Sequence, residues 1–259
     1  MRIALGVEYN GSGFCGWQTQ PGAGAVQDRI EAACGQIAQQ TIKVVCAGRT
    51  DAGVHAVGQV VHFDTLVERP LSAWVRGVNA LLPPMIAVNW AHPVTDDFHA
   101  RYSALARCYR YVVLNTAVRP ALENARIGWC HQPLALERMQ LAAEYLIGEH
   151  DFTAFRASHC QAKTPIRVLH HLRIERTGPY VIFDLRANAF LHHMVRNIVG
   201  SLIYVGMNKH PPQWLRQVLQ DRQRAQAAPT FDASGLYLTQ VDYAEHWQLP
   251  NPRPFSLWP

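Results

Sequence analysis

Strand-like and helix-like stretches are mixed along the whole chain, and this mixture limits the folds that the sequence can adopt. Residues 2–9 place large nonpolar side chains at every second position, which predicts a half-buried strand. Residues 25–40 instead repeat nonpolar side chains at helical spacing. Both patterns recur later, where 166–176 and 180–188 predict a hairpin. The order lacks the regular strand–helix alternation of a doubly wound sheet, so the sequence predicts an α+β fold.

The predicted elements fit two α+β halves best, each a sheet with helices packed on it. The length of 259 residues allows one large domain or two modest ones. We expect an N-terminal half at 1–103, a C-terminal half at 104–245 and an irregular tail at 246–259. Further strands are predicted at 42–47, 58–63, 86–90, 105–114 and 236–243, and further helices at 71–82, 134–147, 190–205 and 212–220.

Basic residues are concentrated in the second half of the chain. Residues 1–100 carry 6 Lys and Arg against 8 Asp and Glu, whereas residues 101–259 carry 18 against 11. This asymmetry indicates an acidic partner and favours nucleic acid over a membrane surface. No nonpolar run reaches the ~18 residues that a transmembrane helix needs, and no signal-peptide pattern is present. We therefore expect a cytoplasmic protein.

A glycine-flanked loop at 48–55, with the sequence GRTDAGVH, is the first candidate site. The loop follows a predicted strand and presents Arg49, Asp51 and His55, and rigidly held loops are where catalytic groups tend to lie. Its glycines allow a ligand to approach the backbone closely. The alternative is an ordinary turn in which Asp51 caps its own backbone.

The second candidate site lies on the predicted strand 105–114. Alternation places Arg107, Tyr109 and Tyr111 on one face of this strand. Aromatic and guanidinium groups on one sheet face could hold a base that has left its stack. The alternative is a sheet stabilised by aromatic pairs across strands.

The third candidate site is the predicted helix 190–205, on which Arg196 shares one face with His192 and another with His193. Adjacent histidines point ~100° apart on a helix, and no H-E-x-x-H motif occurs, so we expect no metal site. Arg196 is a suitable partner for a carboxylate such as Asp51. The sequence also has no P-loop and no G-x-S-x-G motif, and we expect no cofactor.

Three segments together resemble the TruA family of tRNA pseudouridine synthases. They are GRTDAGVH at 48–55, RCYRY at 107–111 and NAFLHHMVRNIVG at 188–200. Shorter matches in the family's order are EYNG, GWQ, DFHAR, DFTAFR and GLYL. The resemblance extends from residue 2 to about residue 243, and the GRTDAGVH segment is highly specific.

The resemblance implies an enzyme that isomerises uridine to pseudouridine at positions 38, 39 and 40 of the tRNA anticodon stem-loop. The N-glycosidic bond is cleaved, the base turns, and C5 bonds to C1′, without a cofactor or a metal. The implied fold has two similar α+β halves, each an antiparallel sheet with helices on one face, and the two sheets join around a central basic cleft. The implied partners are tRNA and a second copy of the chain in a homodimer, with no membrane.

The resemblance also assigns roles to single residues. Asp51 matches the essential catalytic aspartate, and Arg196 matches the arginine that pairs with it. Arg49 matches a residue that helps to prise out the target base. Tyr109 matches the tyrosine that stacks on this base and is implicated in removing its C5 proton. The residues expected to bind the substrate are Tyr109, Leu236, His55 and Arg107.

Two other functions compete with this hypothesis. One is a tRNA-binding module without catalysis, which would gain little from a carboxylate that faces phosphates. The other is a metal-dependent nuclease or deaminase that uses the histidines, which the sequence opposes because metal-ligand spacing is missing.

Overall fold

The computed structural model describes residues 1–22, 24–251 and 255, and the chain forms two units. The first unit comprises Met1–Leu105 and the chain from Tyr237 onward, and the second comprises Ala106–Leu236. The strands are β1 (Arg2–Tyr9), β2 (Val45–Cys46), β3 (His55–Asp64), β4 (Ile86–Val94), β5 (Ala104–Asn115), β6 (Gly128–Cys130), β7 (Gly148–Asp151), β8 (Ile166–Thr177), β9 (Tyr180–Ala187) and β10 (Leu236–Tyr243). The α-helices are α1 (Val26–Ala38), α2 (Val78–Leu81), α3 (Leu136–Glu144), α4 (Met194–Gly206) and α5 (Trp214–Asp221).

The sheet of the first unit is built around β1 and β3. β1 pairs antiparallel with both β3 and β4, and β2 and β10 pair with β3. β10 runs parallel to β3, with Tyr237 opposite His55. At Gly58 a Cβ atom would lie 2.2 Å from the Thr239 carbonyl oxygen, so only glycine permits this approach of β10. Buried side chains of α1 and the ring pair Phe63–Trp74 fill the core.

The second unit contains the strand order β5-β9-β8-β7, in which all neighbours are antiparallel. The short strand β6 adds a parallel pair to β5, as β10 does to β3 in the first unit. Alternation along β9 buries Val181, Phe183 and Leu185, which are at most 1% exposed. α4 is buried along most of its length because nearly all of its residues are nonpolar or small. The α+β fold class is therefore confirmed, and the parallel pairs β3–β10 and β5–β6 are added to the predicted antiparallel sheets.

Several predicted elements match the structure closely. The strand predicted at 2–9 is β1, and the hairpin predicted at 166–176 and 180–188 is β8–β9. The strand predicted at 236–243 is β10, but residues from Tyr237 onward lie in the first unit because β10 pairs with β3. This division differs from the predicted halves for residues 104–105 and 237–245. In the predicted irregular tail at 246–259, the structure forms a 3-10 turn over Glu245–Trp247, and residues 252–254 and 256–259 lie outside the described residues.

Other elements differ from the prediction. The helix predicted at 71–82 is wound as a π-helix over Ala73–Gly77 before α2. The helix predicted at 190–205 begins only at Met194, because His193 has a left-handed backbone with φ of 63°. β6 and β7 were not predicted, since strands of three or four residues show no measurable alternation. Among the described residues, no helix is long and nonpolar enough to span a membrane.

Candidate active site

The loop between β2 and β3 carries Asp51, and a buried glutamine forms hydrogen bonds with the backbone of this loop. Gln59 is 0% exposed, and its Nε2 donates to the Gly48 carbonyl at 2.7 Å while its Oε1 accepts from the Gly48 amide at 3.4 Å. The Tyr9 hydroxyl lies 2.8 Å from Thr50 Oγ1, and the Trp17 amide donates to the Thr50 carbonyl at 3.0 Å. These anchors fix the backbone leading into Asp51, which is itself half-buried.

Two glycines give the loop its path. Gly53 has φ of 79°, and the Val54 amide donates to the Asp51 carbonyl at 3.1 Å, which closes a turn after Asp51. Gly16 has φ of 88°, and a Cβ atom there would lie 2.8 Å from the Thr50 carbonyl oxygen. The Asp51 loop therefore rests directly on the backbone of residue 16, which leaves no room for a side chain.

Replacing Gly16 by Ala is expected to destabilise the first unit by about 3 kcal/mol, since it combines left-handed backbone strain with a backbone collision. The matched control is Gly22→Ala, because Gly22 has a similar φ of 73° but no atom within 4 Å of the position that its Cβ would take. That control should cost only about 1 kcal/mol. Urea unfolding followed by fluorescence measures both. Equal losses in the two variants would contradict the role given to the collision.

His55 lies at the start of β3 and is only 2% exposed. The Gly11 amide donates to its Nδ1 at 3.0 Å, and its ring stacks on Tyr237 with centroids 4.6 Å apart. His55 thus joins the segment after β1 to β10. Leu236, at the start of β10, is 5% exposed. Arg49, in contrast, is exposed at the loop surface.

In the second unit, β5 presents the predicted face of Arg107, Tyr109 and Tyr111. These three side chains are 8%, 8% and 0% exposed, so the predicted alternation is confirmed. Arg107 Nη1 donates to the Asn188 carbonyl at 3.0 Å, and the Tyr109 ring meets Phe190 edge to face at 5.0 Å. β5 and the segment before α4 therefore hold Tyr109 in one orientation.

Arg196 lies in the first turn of α4 and is bound to the chain before β10. Its Nε donates to the Phe231 carbonyl at 2.9 Å, and its own carbonyl accepts from the Phe231 amide at 3.3 Å. The prediction that His192 and His193 share helical faces with Arg196 is wrong, because α4 starts after them. The His192 carbonyl instead accepts from the Ala157 amide at 3.0 Å.

A buried polar network supports this part of α4, and no sequence pattern predicted it. Asn197 is 0% exposed, and its Nδ2 donates to the Phe155 carbonyl at 2.8 Å. Its Oδ1 accepts from Thr230 Oγ1 at 2.7 Å and from Arg224 Nη2 at 3.1 Å. Asn197 thus connects α4 to the segment that contains Thr230 and Phe231, and Phe231 is the residue that accepts from Arg196. The signal in the sequence was an amide in a helix whose other residues, apart from Arg196, are nonpolar or small.

The thiol of Cys46, just before the Asp51 loop, is kept protonated by its surroundings. Burial raises the pKa of Cys46 to about 12, although the positive charges of Arg49 and Arg101 act in the opposite direction. Neither unit alone brings together, among its described residues, three His, Cys, Asp or Glu side chains suited to bind a metal ion.

A family model described as tRNA pseudouridine synthase matches residues 6–103 and 142–244. The chain belongs to this family. The matched residues include the Asp51 loop, α4 and β10, whereas Tyr109 lies in the stretch 104–141 between the two matched blocks.

Curated members of the family align over nearly the whole chain. The tRNA pseudouridine synthase A of Dechloromonas aromatica is 55% identical over 252 residues, which are 97% of this chain and 96% of the relative. The protein of the same name from Nitrosomonas europaea is 54% identical over 96% of this chain and 92% of its own. That of Aromatoleum aromaticum is 56% identical over 97% and 95%, respectively.

Proposed function

We propose that this chain isomerises uridine to pseudouridine at positions 38, 39 and 40 of the tRNA anticodon stem-loop, without a cofactor or a metal. Membership of the tRNA pseudouridine synthase family supports the reaction and its substrate class. The observation that carries the proposal is the Asp51 loop, in which one half-buried carboxylate is presented by a backbone anchored at Gly48 and Thr50.

The reaction is an isomerisation, so every bond that breaks is matched by one that forms. The N1–C1′ bond of uridine breaks, the base turns, C5 bonds to C1′, the C5 proton leaves, and N1 gains a proton. As C1′ becomes electron-deficient, the ionised carboxylate of Asp51 stabilises it or bonds to it. We assign Arg196 to pair with this carboxylate and so to favour its charged form.

The target uridine must leave its stack before the carboxylate can reach C1′, which costs a few kcal/mol. Arg49 is exposed beside Asp51 and is suited to take the place of the displaced base. We assign Tyr109 to stack on the flipped base and to accept its C5 proton. Leu236, His55 and Arg107 complete the proposed substrate-binding set. His55 and Arg107 are buried, so besides contacting the substrate they hold the backbone of Gly11 and Asn188, respectively.

We further propose that the chain works as a homodimer in the cytoplasm, as expected for this family and for a tRNA substrate.

Tritium release tests the proposed reaction. Unmodified tRNA transcript that carries tritium at uridine C5 is incubated with the protein in the presence of a chelator. Release of tritium to water is expected. If the protein binds this tRNA but releases no tritium, a binding module without catalysis replaces the proposal, and release that the chelator abolishes would indicate a metal-dependent reaction.

Binding of tRNA is expected to weaken strongly as salt is raised. The excess of basic residues in 101–259, 18 against 11 acidic ones, supplies phosphate contacts that release counterions. For about five such contacts the affinity should fall several-hundred-fold, on the order of 10²–10³, between 50 and 200 mM salt. A filter-binding series on unmodified transcript measures this slope. A dissociation constant that stays flat across the series would contradict the electrostatic contribution.

A further inference from the structure

An exposed aromatic ring stands on the turn that leads into β5. Tyr102 is 76% exposed, and the guanidinium carbon of its neighbour Arg101 lies 5.5 Å from the centre of its ring. Arg101 is also exposed. The turn includes the DFHAR segment, to which the proposed reaction assigns no role. Neither side chain lies in the core, so both are accessible to a ligand.

The turn holds Tyr102 in a fixed position. The amides of Arg101 and Tyr102 each donate to Nδ1 of His99 at 3.2 Å, and the His99 ring stacks on the Tyr102 ring with centroids 4.3 Å apart. The Ser103 amide donates to the His99 carbonyl at 2.8 Å, and Ser103 Oγ accepts from the His99 amide at 3.0 Å. An aromatic ring fixed in this way loses little conformational entropy when a ligand stacks on it.

The same turn lies close to the strand that leads to Asp51. The Ala100 amide donates to Nδ1 of His62 at 3.1 Å, and His62 is paired with Val45 of β2. Burial, together with the nearby charge of Arg2, lowers the pKa of His62 to about 4, so this nitrogen stays available as an acceptor at neutral pH.

The Ala100–His62 bond also places the turn near the end of β2, because β2 pairs with β3 at Val61 and His62 and ends at Cys46. Asp51 follows Cys46 by five residues, which span at most about 18 Å of extended chain. The distance between the turn and the Asp51 loop is therefore short enough for a few nucleotides of one RNA strand to span it.

We propose that Arg101 and Tyr102 form a stacking platform for a nucleotide of the anticodon stem-loop close to the target uridine. This inference rests on the proposed function and adds a substrate-positioning site to it. Every base has a flat face that can stack on a tyrosine ring, and a guanidinium beside the ring can contact the adjoining phosphate. The platform therefore positions the RNA without selecting one base.

Binding measurements with substituted proteins test the platform. All variants carry Asp51→Asn, so that the RNA is not consumed, and the ligand is an isolated anticodon stem-loop with unmodified uridines. Tyr102→Ala is expected to raise the dissociation constant about 10-fold at every salt concentration, in line with the loss of one stacked base. Tyr102→Phe keeps the ring and should bind as the parent does. Arg101→Ala should also lower the steepness of the salt dependence by about one phosphate contact.

The matched control is Leu81→Ala, which removes a 44% exposed nonpolar side chain of the same unit and should leave binding unchanged. With Asp51 intact, Tyr102→Ala should raise KM and leave kcat unchanged. A stem-loop dissociation constant that Tyr102→Ala does not alter would overturn the proposal. So would a loss seen with full-length tRNA but not with the stem-loop, because the contact would then lie elsewhere on the tRNA.

The two proposals fail in different ways. If the unsubstituted protein releases no tritium while Tyr102→Ala still weakens stem-loop binding, the proposed reaction is wrong and the platform stands. If tritium is released normally and Tyr102→Ala binds as the parent does, the reaction stands and the platform is wrong. If Tyr102→Phe weakens stem-loop binding as much as Tyr102→Ala does, and both variants melt at a lower temperature than the parent, the side chain only stabilises the turn and the platform is wrong.

Discussion

Asp51→Asn is expected to reduce tritium release from tRNA by roughly 10³-fold or more, since the substitution removes the one charge that the proposed reaction places at C1′. Asparagine has nearly the same shape, and the loop is held by Gly48 and Thr50 rather than by the Asp51 side chain alone. The variant should therefore fold and bind tRNA. Single-turnover tritium release with saturating enzyme measures the chemical steps without the contribution of binding.

The control for charge is Glu68→Gln, which removes an exposed carboxylate from the same unit and should leave the rate unchanged. Equal melting temperatures for Asp51→Asn and the parent would show that the loop is intact. If Asp51→Asn releases tritium at the parent rate, Asp51 is not the catalytic group and the proposed mechanism fails.

Asn197→Leu is expected to destabilise the second unit by about 3 kcal/mol. Leucine has a similar volume but leaves the Phe155 carbonyl, the Thr230 hydroxyl and the Arg224 guanidinium without the partner that Asn197 provides. For a chain of this size the melting temperature should fall by about 6–12 °C. Activity should fall as well, because the segment released from α4 includes Phe231, which accepts from Arg196.

The control for this effect is Gln217→Ala on α5, which removes an exposed amide from the same unit and should shift the melting temperature by less than about 1 °C. Thermal unfolding followed by circular dichroism compares the two variants. A melting temperature that Asn197→Leu leaves unchanged would contradict the importance of the buried network.

Elements with strong local patterns could be predicted from the sequence. β9 alternates buried and partly exposed residues over its eight residues, so local patterning alone determines which of its faces is buried. The pattern also located β1, but the prediction of a half-buried strand is wrong there, because residues 3–7 are all buried. The same alternation identified the face of Tyr109. The Asp51 loop was found because its glycines and polar residues interrupt strands on both sides.

Features that depend on distant contacts could not be predicted. α4 begins late because His193 has a left-handed backbone, and the His192 carbonyl accepts from the distant Ala157 amide rather than from an amide of the helix. The anchoring of the Asp51 loop by Gln59 and Tyr9 joins residues that are 11 and 41 positions from their partners. The local spacing of residues in the sequence does not predict such hydrogen-bonded pairs, because each of these side chains could bond to many different partners.

The pairing of β10 with β3 has a consequence for how the protein is made. Tyr237 is opposite His55, so one edge of β3 stays unpaired at this position while a ribosome synthesises the residues in between. At roughly 5–20 residues per second this delay lasts about ten to forty seconds. An open strand edge is a site of aggregation. A fragment that ends at Leu105 would keep that edge unpaired permanently, so we expect it to aggregate more readily than the chain that includes β10.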